Sequence, residues 1–142
     1  MFLENLNLNP QILIIVTLCF VLPMFIYSGI DKIIHFQKKV GNLQNKIKCN
    51  KLIAQLGIVA VIIIEILCSL ILIVAALTLY KQPVYLKIAT NISIMLFMLF
   101  MIVVTPIYHP PGNKPIPFLS NMCTFGVFLL LLYFFNNKHT SN

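Results

Sequence analysis

Glu65 stands in the middle of a predominantly apolar run from Leu52 to Leu79, 28 residues long. About 20 helical residues cross the hydrocarbon core of a bilayer, and a carboxylate at the centre of such a helix costs about 2.5–3.5 kcal/mol to insert. A spanning helix gains nothing from that cost. Glu65 must therefore hold a partner, carry a proton or do chemistry. Asp31, Lys32 and His35 close a first apolar segment, His109 closes a third, and Asn121 lies about one turn into a fourth. An acid, an amine, an imidazole and an amide are the parts of a polar pocket or a proton path within a membrane. Tyr27, Asp31 and His35 fall at i, i+4 and i+8, on one helical face. Each residue also has a plainer role. Glu65 can be a neutral carboxyl bonded to an adjacent helix, Asp31 and Lys32 a charged pair marking the interface, and His109 a polar turn residue before Pro110. For Asn121 the plainer role is an interhelical hydrogen bond of about 0.6 kcal/mol.

The elements that must position these groups are four apolar spans, about 11–30, 52–79, 84–108 and 117–135. With short connections they read as an all-α membrane four-helix bundle in a single domain. Pro23 predicts a kink in the first span; Pro106 and then Pro110 and Pro111 close the third. Between spans one and two, Ile33, Phe36, Val40, Leu43 and Ile47 form a stripe at helical spacing, over a segment of about 33–48. Lys38, Lys39, Lys46 and Lys48 occupy its other faces. That pattern predicts an amphipathic helix along the bilayer surface with its amines toward lipid headgroups; the alternative is a first helix that continues into water and packs on the bundle.

Composition agrees. Hydrophobic residues make up 60% of the 142-residue chain and charged residues 9%, with a formal charge of +7. The lysines lie in the connections between apolar segments, so anionic headgroups, and not nucleic acid, are their expected partners. Seven lysines fall on the side of the long connection and three on the other, which puts the long connection in the cytoplasm and both termini outside. Counting spans also brings Lys32, His35, His109, Asn121 and Gln55 to one half of the bilayer, with Glu65 about 15 Å deeper than Gln55 at the helical rise. A leader holding Glu4 and no basic residue suggests an uncleaved first span. Cys19, Cys49, Cys68 and Cys123 show no C-x-x-C spacing, so neither a metal site nor a thiol relay is expected. No phosphate loop, zinc-binding H-E-x-x-H or nucleophile elbow is present.

The residues Tyr27-Ser28-Gly29-Ile30-Asp31-Lys32-Ile33 resemble the small-Gly-x-x-Lys signature of the DoxX family of small membrane proteins. Glu65-Ile66-Leu67-Cys68 is similar to that family's intramembrane Glu. His109 ending the third span, and Asn121 followed by Gly126 and a Leu-rich run, resemble its last helix. The likeness extends over roughly residues 12–135. Ser120 replaces the Lys usually found before the Asn, and Ser69 with larger residues replaces glycines that usually follow the Glu. The resemblance implies a four-helix, multi-pass integral membrane protein associated with quinone-linked sulfur oxidation or oxidative stress. It also implies quinone as a cofactor and membrane redox proteins as partners.

Three classes of function follow. The first is an auxiliary subunit of a membrane redox system, with Glu65 exchanging protons, Lys32 as its counter-charge, and His109 and Asn121 completing the pocket. The second is a binding or structural membrane protein for lipid, cargo or an envelope. The third is a small-solute or proton channel, which four spans form only by homo-oligomerisation.

Overall fold

Every backbone N–H and C=O within a bilayer needs an internal partner, which leaves the helix as the natural state of long apolar runs such as these. The computed structural model describes residues 9–110, 112 and 115–137. Glu4, Pro111, Lys114 and Lys138, which enter the reading of the leader, the turn and the charge asymmetry, lie outside them. The described residues form helices α1 (Pro10–Ile34), α2 (Phe36–Ile47), α3 (Lys51–Ile63), α4 (Ser69–Leu77), α5 (Val84–Tyr108) and α6 (Pro115–Asn137). A single π-turn, Ile64–Cys68, joins α3 to α4, and a 3₁₀ turn, Leu79–Lys81, follows α4. Four stretches are long and apolar enough to span: Gln11–Ile34, Lys51–Leu77, Val84–Tyr108 and Pro115–Asn136. The protein is thus an all-α, multi-pass four-helix bundle, as the sequence predicts.

Contacts at the helix ends fix the up-and-down order. At the start of α1, Gln11 donates to the carbonyls of Ala76 and Leu77 at the end of α4. Asn91, early in α5, donates to Asn136 at the end of α6 at 2.9 Å, and Asn121, early in α6, donates to Thr105 late in α5 at 3.1 Å. Between these ends the core is aromatic. Phe25 lies 4.6 Å from Phe97, and Phe97 stacks on Phe128 at 4.9 Å, centroid to centroid. Phe97 and Phe128 are fully buried. Such pairs add about 0.5–1.5 kcal/mol beyond area burial.

Pro106 does not end α5, which runs on to Tyr108. The chain breaks at His35 and resumes as α2, so the helix expected over 33–48 is present as Phe36–Ile47. Its apolar stripe faces protein at its centre. Val40 is buried with Ala54 and Ile58 of α3, and Phe36, Leu43 and Ile62 pack around them. Only the ends of the stripe, Ile33 and Ile47, are left exposed. Of the two readings the sequence leaves open, bilayer surface or packing on the bundle, the centre of the stripe takes the second, against α3. Gly57 of α3 admits this packing, since a Cβ there would lie 3.3 Å from the tip of Leu43. Lys48 ends α2 with φ 53° in the left-handed region, and the chain reverses through Cys49 and Asn50 into α3.

Candidate functional site

The site is organised by the π-turn. Such turns widen the helix locally, occur mostly as single-turn insertions and are frequent at functional sites. Here the turn holds Glu65, whose backbone carbonyl accepts a hydrogen bond from the buried Ser69 hydroxyl at 2.5 Å. A serine four residues on is the ordinary back-bonding position, so the sequence supplies a side-chain donor to a carbonyl of the turn. Gly29 of α1 meets this turn at close range. A Cβ at Gly29 would lie 2.7 Å from Cγ1 of Ile66 and 3.4 Å from Cβ of Glu65. The glycine lets α1 approach until side chains one turn apart, Ser28 and Lys32, reach the carboxylate.

Lys32 Nζ donates to both Glu65 oxygens, at 2.9 Å and 2.8 Å, and to the Ser28 hydroxyl. Ser28 Oγ in turn donates to Glu65 Oε1 at 3.1 Å. The Glu65 side chain is 3% exposed and that of Lys32 18%. This is a charge-assisted, two-oxygen contact of the strong kind, and it answers the question posed by the acid in the apolar run. Its partner is Lys32.

Around the pair lies a cavity of about 670 Å³. It exists because the helices diverge. α5 packs closely on α4 and on the π-turn, whereas beyond that turn α3 and α5 barely touch. The polar wall carries Lys32, Glu65, Ser28, Lys39, Asn42, His109 and Asn121, and the remainder is mostly apolar, with Met24, Phe25, Leu96 and Phe100 among its lining residues. Lys46 Nζ of α2 stands 4.3 Å above the ring of Tyr108, a lining residue on α5, and so links α2 to α5 beside the cavity.

Four of the six residues expected at a polar pocket, namely Glu65, Lys32, His109 and Asn121, line this one cavity. Asp31 and His35 do not. They bond to each other at 2.9 Å on the outer side of α1, where His35 is exposed, and Asp31 also pairs with Lys39. Tyr27, on the same face, is 76% exposed. Of the four lysines expected at headgroups, Lys38 and Lys48 are exposed, Lys46 is exposed above Tyr108, and Lys39 turns toward Asp31 and the cavity. Sequence reasoning passed over Ser28, Ser69 and Thr105. The i, i+4 spacing of Ser28 with Lys32, and of Ser69 with Glu65, is the signal that could have found the first two.

Comparison with protein-family models, with curated proteins and with solved structures finds no match to this chain.

Proposed function

We propose that this multi-pass membrane protein holds a membrane-derived ligand in the cleft around Glu65. We further propose that it acts as an auxiliary subunit of a redox or oxidative-stress system, as its resemblance to the DoxX family implies. One observation carries the binding reading: an otherwise apolar cavity, within the usual 300–1,000 Å³ of small-molecule sites, converges on a buried ion pair with His109 and Asn121 beside it. In this reading Lys32 holds Glu65 in place, and the pair orients the polar end of the ligand. The redox role rests on the resemblance, with quinone as the implied cofactor and redox proteins as partners.

The test is purification in native-lipid particles, followed by identification of co-purifying amphiphiles, quinones and proteins. A bound species lost on Glu65→Gln, with thermal stability retained, supports the reading. If Glu65→Gln leaves ligand content, quinone dependence and peroxide resistance all unchanged, the pocket has no redox role.

A second reading, a non-enzymatic membrane-surface binder, is favoured by the exposed Lys38, Lys46 and Lys48 with Ile33 and Ile47. Flotation on anionic liposomes tests it. Binding undiminished after Lys-to-Gln replacement of Lys38, Lys39, Lys46 and Lys48 would remove its electrostatic basis.

A further inference from the structure

The described charged side chains of the cleft already have partners. Lys32 has three N–H donors, and Glu65 Oε1, Glu65 Oε2 and the Ser28 hydroxyl receive them. Lys39, the other amine on the wall, is paired with Asp31. Among the described residues a ligand with a charged head would find no free counter-charge, and it would either break a pair or remain uncompensated in a poorly solvated site. Uncharged hydrogen-bonding groups meet no such obstacle. Asn121 gives its amide nitrogen to Thr105 at 3.1 Å, which leaves its carbonyl oxygen as an acceptor on the cavity wall.

The apolar part of the cleft opens sideways. Met24 on α1 and Leu99 and Val103 on α5 line the cavity and are nevertheless about half exposed, at 49%, 58% and 50%. In a span, exposure of this kind faces acyl chains. Where α2 meets α5 beside the cleft, by contrast, Lys46 reaches over the ring of Tyr108.

We propose that the cleft takes an amphiphile with an uncharged, hydrogen-bonding head and an apolar tail, admitted laterally from the bilayer past the half-exposed Met24, Leu99 and Val103. The head sits among Asn121, His109 and the Lys32–Glu65 pair, and the tail leaves past Met24 and Leu99. This deepens the proposed binding function and rests on it.

Three probes that share one diazirine-bearing chain test it: a monoacylglycerol, a fatty acid and an alkylammonium. Each is photo-crosslinked to the full chain in zwitterionic nanodiscs, and the labelled peptides are mapped. The glyceride should label peptides bearing Met24 or Leu99 at least about ten-fold more than either charged probe, given the insertion cost of an unpaired charge. Leu99→Trp, a change at the exposed rim, should cut that labelling severalfold while leaving thermal stability unaltered; Val103→Trp serves at the same rim if Leu99→Trp does not fold. Equal or stronger labelling by a charged probe overturns the neutral head and leaves the binding reading intact. Full labelling in the rim variants overturns lateral entry. Failure of all three probes to label the cavity removes the binding reading itself, and this inference with it.

Discussion

Replacing Lys32 by Met removes the ammonium that holds both Glu65 oxygens, at 2.9 Å and 2.8 Å, while the carboxylate stays 3% exposed. Among the described residues only the Ser28 hydroxyl, 3.1 Å from Oε1, remains as a side-chain donor. Stranding one member of a buried pair costs about 3–5 kcal/mol. Glu65→Leu is milder, about 1–2 kcal/mol, because Lys32 is 18% exposed and its flexible stem can carry the ammonium toward water. The double variant, apolar at both positions, should return to within about 1 kcal/mol of the original, since well-packed apolar substitutes for buried pairs are often neutral or better. The interaction energy from this cycle should therefore exceed about 2 kcal/mol, or roughly 30-fold in the folded-to-unfolded ratio. The assay is reversible unfolding in mixed micelles, followed by helical circular dichroism across a denaturing-detergent titration. Ordinary interhelical hydrogen bonds in membranes average about 0.6 kcal/mol and reach about 1.7, so the expected value lies outside their range. A coupling of about 0.6 kcal/mol or less would show that the two groups do not act as an ion pair, and Lys32 would not be what makes the burial of Glu65 tolerable.

The same titration checks three further expectations. Gly29→Ala should destabilise by about 1–3 kcal/mol through overpacking, because its Cβ would fall 2.7 Å from Ile66 Cγ1, whereas Gly57→Ala, 3.3 Å from the tip of Leu43, should cost under about 1 kcal/mol; similar losses at both sites would contradict the close approach of α1 to the π-turn. Phe97→Ala, at the fully buried centre of the aromatic cluster, should cost about 3–5 kcal/mol, and a loss below about 1 kcal/mol would show that the cluster is not the core. Ser69→Ala should cost about 1–3 kcal/mol by leaving the buried Glu65 carbonyl short of a partner, with Ser69→Thr close to the original; unchanged amide exchange around Ile64–Cys68 in the alanine variant would refute this role of Ser69.

What the sequence determines is whatever depends on local burial. The lengths of the apolar runs dictate four spans, because unpaired backbone groups are intolerable in lipid whatever the neighbours are. The same reasoning makes Glu65 a residue in need of a partner, and counting spans brings Lys32, His109 and Asn121 to its half of the bilayer. Which side chain meets it is a tertiary matter. Neighbours on a helix point about 100° apart, so Asp31 and Lys32 cannot both face α3, and the rotation of α1 about its axis decides between them. That rotation follows from the contact of Gly29 with Ile66, and it turns Tyr27, Asp31 and His35 outward while Ser28 and Lys32 face in. The π-turn under Glu65 leaves no mark in hydrophobic spacing, since the buried positions before and after it continue along one face. Nor could the stripe on α2 reveal what would cover it: an apolar face fits a bilayer surface and a neighbouring helix equally well, and only the reversal at Lys48 brings α3 alongside.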